Sequence, residues 1–177
     1  MKTHTFNPFE DRFSRDIRNA MSSALANTIE TGDYSQLAAV KEDFGKRDLA
    51  PHYRNYYDDR CVRYHKALES IKRGQNPIAQ AVILWNQGLY FEVHEVLEHV
   101  WYHAKGNEKL TLQALIRAAG VYVKQEYGYT GPAGKIAGKS WPVLQQNENL
   151  LQPFFNPAPL ITALQHPEQK PPQLASF

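Results

Sequence analysis

Apolar residues recur every three or four positions in one segment after another, and no stretch alternates with period two, so the chain is restricted to helices packed on helices. Asn7-Pro8-Phe9-Glu10 combines a capping residue, a proline suited to a first turn and a glutamate three residues on, which predicts a helix start there. Phe9, Phe13, Ile17, Ala20, Met21 and Ala24 then define one apolar face that lasts to about Ile29. Asp33 is placed to cap a second helix that carries Leu37, Val40 and Phe44 on one face and stops near Gly45. Tyr53, Tyr57, Cys61, Tyr64, Leu68 and Ile71 keep helical spacing for about six turns. Asn76-Pro77 repeats the cap-and-proline start, and the nearly all-round apolarity of 78–85 predicts a helix buried between others.

Asn86-Gln87-Gly88 breaks the chain, after which helices are predicted over about 90–104 and 108–127, joined by the turn Lys105-Gly106-Asn107. Beyond Gly128 the helical pattern is diluted by Gly131, Pro132, Gly134, Gly138 and Pro142. A last short helix fits 159–165, and the proline-rich 166–177 reads as an extended tail. The expectation is an all-α fold: a compact multi-helix bundle around an antiparallel helical hairpin, with extra N-terminal helices. Residues 1–165 are read as one domain, because 177 residues with 42% hydrophobic content suffice for one core.

Net charge is only +2 and the basic residues are interspersed with acidic ones, so neither nucleic acid nor a membrane surface is an expected partner. Cys61 is the only cysteine, which excludes an internal disulfide and a cysteine-based zinc site. The first residues lack an apolar leader, and no stretch approaches the roughly 20 apolar residues of a membrane span, so a cytoplasmic location is expected.

The chemistry is concentrated in Glu92-Val93-His94-Glu95-Val96-Leu97-Glu98-His99, followed by Trp101, Tyr102 and His103. At about 100° per residue, Glu92, Glu95, His99 and His103 share one stripe, while His94, Glu98 and Trp101 lie roughly opposite. Glu95, His99 and His103, at successive four-residue steps, are a candidate ligand set for a divalent metal. The same three residues also suit a solvated face with helix-supporting pairs. His94 and Glu98, four apart beside Trp101, suit a polar pair that fixes helix packing. On the following helix Gln113, Arg117 and Lys124 share an edge, and an antiparallel hairpin brings Gln113 and Arg117 within reach of Glu92, Glu95 or Glu98. The tyrosines and arginines of 53–64 mix rings with cations as single-strand binders do, yet the tyrosines follow core spacing.

Trp85-Asn86-Gln87-Gly88-Leu89-Tyr90-Phe91-Glu92-Val93-His94-Glu95-Val96-Leu97-Glu98, then Trp101, then Leu112-Gln113-Ala114-Leu115-Ile116-Arg117-Ala118-Ala119, resembles the domain-of-unknown-function family numbered 309. The resemblance spans roughly 78–144, outside which lie the N-terminal extension 1–75 and the tail. It implies a compact helical domain with no assigned activity, and its motif carries over onto Glu92, His94, Glu95, Glu98, Trp101 and Gln113. His99 and His103 are not motif positions. Ala114 stands where the family usually has glycine, and Lys124 stands near a position where histidine is common.

The functional expectation is a non-catalytic binding or interaction module, with Glu92, His94, Glu95, Glu98, Trp101, Gln113 and Arg117 forming a polar cleft or an ion-pair network on the hairpin. Its partner would be a small ligand or a protein. The alternative is a metal-dependent hydrolase that uses the Glu/His cluster of 92–103. A homodimer built on Trp101 and Tyr102 is a further candidate.

Overall fold

The computed structural model describes residues 5–175, and among these the regular structure is helical throughout, with no strand. The chain forms two compact units, 1–74 and 75–177.

In the first unit α1 (Arg12–Thr31) packs on α2 (Ser35–Lys46) and α3 (Pro51–Ser70). α1 starts four residues later than its first capping signal predicts. Asn7 closes only a turn, accepting from the Phe9 N–H at 3.0 Å. Asp11 is the residue that takes the Phe13 and Ser14 N–H groups, at 3.3 and 2.8 Å, and also the Ser14 hydroxyl at 2.6 Å. Ile17, Met21, Ala24 and Leu25 then point inward, fully buried. Gly32 ends the helix at φ 75°, a conformation that costs glycine little, and its N–H reaches the Thr28 carbonyl at 2.8 Å. On α3, Tyr56, Tyr57 and Tyr64 are buried. Phe6 stacks on Tyr56 with centroids 3.7 Å apart, and the Tyr57 hydroxyl donates to the Lys41 carbonyl at 2.7 Å. Burial, first of all, pushes the Tyr57 phenol up to about 12.

The second unit runs α4 (Pro77–Asn86), α5 (Tyr90–Trp101), α6 (Gly106–Glu126), α7 (Thr130–Gln146), the single turn α8 (Glu148–Leu151) and α9 (Ala158–Gln165). α4 packs on α5, α5 on α6 and α6 on α7, and α9 packs on α7. α5 and α6 are the antiparallel hairpin expected from the sequence. α5 stops at Trp101 instead of 104, because Tyr102 and His103 already turn away, with the His103 N–H bonded back to Val100 at 3.1 Å.

α7 is one helix despite three glycines and Pro142. Each interior glycine costs about 1 kcal/mol relative to alanine and an interior proline about 3. Packing against α6 offsets this: Ala133, Ala137, Ser140 and Leu144 recur at three- and four-residue spacing and are buried. The small size of Ala133, Ala137 and Ser140 lets the backbones approach until the Ser140 hydroxyl donates to the Ala114 carbonyl at 2.7 Å.

In the tail, 166–169 turn, with the Gln169 N–H on the His166 carbonyl at 2.9 Å, and 170–175 run on without regular structure, fastened to the fold. The Trp85 indole N–H donates to the Pro172 carbonyl at 2.8 Å. The Asn86 amide holds both the N–H and the carbonyl of Leu174, each at 2.8 Å. Leu174 is buried and helps line a residual cavity of only about 10 Å³ with Trp85, Leu97, Leu115 and Phe155. No helix among the described residues is long and apolar enough to cross a membrane.

Candidate functional site

α5 is set by its entry turn and its apolar side. Gly88, at φ 69°, lets the chain reverse after α4, with its N–H on the Trp85 carbonyl at 2.8 Å. Val93, Val96 and Leu97 are buried, so the helix presents His94, Glu95 and Glu98 at its rim. Glu92 departs from the solvated stripe on which its spacing puts it. It is fully buried, and it is engaged by an interaction within the fold.

His94, Glu95 and Glu98 offer one ligand atom each, all within 4.8 Å of one another. His94 Nδ1 lies 3.5 Å from Glu95 Oε1 and 3.8 Å from Glu98 Oε2. Both separations exceed a charge-assisted hydrogen bond of about 2.7–2.9 Å. Nδ1 is shielded from solvent and has no hydrogen-bond partner. The imidazole is held against Phe91 in a near-parallel stack, 5.9 Å between centroids and 11° between planes. The side chains of His94 and Glu95 are 33% and 21% exposed and that of Glu98 52%, so the cluster opens to solvent on the Glu98 side.

Trp101 follows on the same side of α5, half-buried, with an indole N–H that is buried and without a hydrogen-bond partner. Lys109 of α6 puts its ammonium over the Trp101 ring at 4.6 Å. This residue was missed in the sequence, although folding the hairpin at Gly106 brings position 109 back over the end of α5. The expected bridge from α6 to the acidic face is not formed: Gln113 and Arg117 are half-buried, and neither makes a side-chain hydrogen bond or ion pair to another described residue. His99 and His103 are exposed and lie outside the three-residue cluster, and His103 is already beyond the helix. Tyr102 is 72% exposed beside the same turn.

The lower end of the hairpin holds a group that the sequence reading passed over. Tyr122 on α6 packs edge-on against Trp85 at 5.3 Å and tilted against Tyr90 at 5.5 Å. It is 1% exposed, and its hydroxyl has no hydrogen-bond partner. Burial raises its ionisation far above the ordinary phenol value, with the neighbouring Tyr90 contributing. The Leu and Val spacing around it marks position 122 as core, which is the only signal the sequence carries.

Residues 78–135, from the first turn of α4 into α7, match the family model described as Domain of unknown function (DUF309). No curated protein and no solved structure matches the chain.

Proposed function

Taking that hairpin segment as the premise, we propose that the protein is a non-catalytic binding module in which His94, Glu95 and Glu98 take up a divalent metal ion. The observation that carries this is the spacing of the three ligand atoms around an imidazole nitrogen that has no hydrogen-bond partner. Ligands of a tetrahedral ion with bonds of about 2.1 Å stand about 3.4 Å apart. The two separations from His94 Nδ1, 3.5 and 3.8 Å, are close to that edge and too long for hydrogen bonds. One imidazole with two carboxylates is a nitrogen and oxygen set suited to zinc, manganese or ferrous iron, and unsuited to soft ions. The Phe91 stack fixes the ring plane before any ion arrives, which lowers the ordering cost of binding.

The test is titration calorimetry with zinc and manganese on protein without a histidine tag, alongside elemental analysis. One ion per chain is expected, with affinity reduced on the order of tenfold or more by His94→Ala and by Glu98→Ala. His99→Ala and His103→Ala leave it unchanged. Loss of binding in those two variants moves the ion to the Glu95, His99, His103 set, and the absence of stoichiometric binding removes the reading.

A hydrolase is the second reading, favoured by the half-exposed Glu98 edge. Three protein ligands leave a coordination position for water, as catalytic zinc sites do. Turnover of an activated ester by the zinc-loaded protein, lost in His94→Ala, replaces the binding assignment with catalysis. Metal binding without turnover keeps it.

A further inference from the structure

A cleft of about 430 Å³ lies between the start of α5, the end of α6, the start of α7 and the tail, separate from the metal-ligand cluster. Tyr90, Tyr122, Gln125, Glu126 and Thr130 form its helical wall, and 168–171 closes the other side. Its size is within the range of small-molecule sites. The tail segment is held in place from beyond the cleft by Trp85 and Asn86, which grip Pro172 and Leu174.

Two features of the lining point to a ligand. Tyr122 is 1% exposed and its hydroxyl has no partner, which destabilises the fold unless something accepts its proton. Gln125 is half-buried in the wall and makes no side-chain hydrogen bond to another described residue, while Thr130, Gln169 and Lys170 stand exposed at the mouth. The lining charges are unequal: Glu126 and Glu168 supply two carboxylates against the single ammonium of Lys170, with His166 Nδ1 standing 3.9 Å from Glu168. Aromatic rings joined to excess negative charge favour a cation over an anion.

We propose that this cleft binds a small organic cation carrying a hydrogen-bond acceptor, its ammonium end toward Glu126 and Glu168 and its acceptor taking the Tyr122 hydroxyl proton. Because the tail supplies one wall, the site is a property of the whole second unit and not of residues 78–135 alone.

Choline is the probe, with two comparisons at matched ionic strength: the neutral alcohol in which carbon replaces its nitrogen, and acetate. Amide signals of Tyr90, Gln125, Thr130 and Gln169 are followed by NMR in the full chain. Choline is expected to shift them saturably, with the neutral alcohol about tenfold weaker and acetate without effect. Tyr122→Phe keeps the ring packing and is expected to weaken choline about fivefold, and Glu168→Gln, on the exposed tail, to weaken it further. Equal affinity for the neutral alcohol, stronger binding of acetate, shifts elsewhere on the chain, or no saturation overturns the proposal. Metal titration of the same sample reports on the α5 cluster independently.

Discussion

At the scale of single residues, two buried hydroxyls in the second unit make opposite predictions for the same kind of change. Ser140 spends its proton on the Ala114 carbonyl at 2.7 Å, in a contact that joins α7 to α6. Ser140→Ala is expected to cost about 1 kcal/mol in urea unfolding. Tyr122 has no such acceptor, so Tyr122→Phe is expected to leave the ligand-free protein equally stable or more stable by up to about 1 kcal/mol. A clear destabilisation by Tyr122→Phe would mean that the hydroxyl is already satisfied. Neither residue announces its role in the sequence, since a core serine and a core tyrosine follow the same helical spacing whether or not their oxygen is used. Glu92 shows the same limit more sharply. Its angle on the helical wheel groups it with Glu95 and His99, yet it faces the interior while they do not, because burial depends on which neighbour α5 meets and not on the wheel alone.

At the scale of elements, the caps of α1 give a pH prediction. The Ser14 hydroxyl is the largest influence on the Asp11 carboxyl, and together with the Ser14 and Phe13 N–H groups and the Tyr53 hydroxyl it outweighs burial and holds the group at about 2, below its ordinary 3.8. The folded value lies below the unfolded one, so the ionised cap stabilises the protein fully above pH 3.8 and loses that contribution as pH falls toward about 2. Asp11→Ala is expected to cost about 1 kcal/mol at neutral pH, a gap from the parent protein that narrows steadily below pH 3.8. Equal gaps at pH 7 and pH 2.5 would show that the carboxylate's charge is not what matters. The sequence puts the cap at Asn7, whereas the helix is capped by Asp11. The choice between them rests on Tyr53, forty-two residues away, whose hydroxyl donates to Asp11 at 2.9 Å. α7 is the converse case. Local propensity argues against a continuous helix, and the packing of its buried Ala133, Ala137 and Ser140 against α6 overrides it, which no window along the chain can reveal.

At the scale of the whole molecule, the all-helical class and the α5 and α6 hairpin were legible because long periodic segments bounded by glycine and proline leave few alternatives. The candidate site was legible only in its composition. The spacing put Glu95, His99 and His103 forward as a ligand set, whereas the three groups that converge are His94, Glu95 and Glu98. The proposal that 1–165 behaves as one cooperative domain predicts a single calorimetric transition, whereas two transitions assignable to 1–74 and 75–177 would replace it with two independently folding units.

The amide of Asn86 grips Leu174 through backbone atoms that every residue type shares. Over evolutionary time, this grip therefore constrains residue type at very few positions. Position 174 must stay apolar to fill its recess, and position 86 must keep both a donor and an acceptor. A survey of natural variants should show the solvent-facing Gln173 changing freely between those two fixed demands.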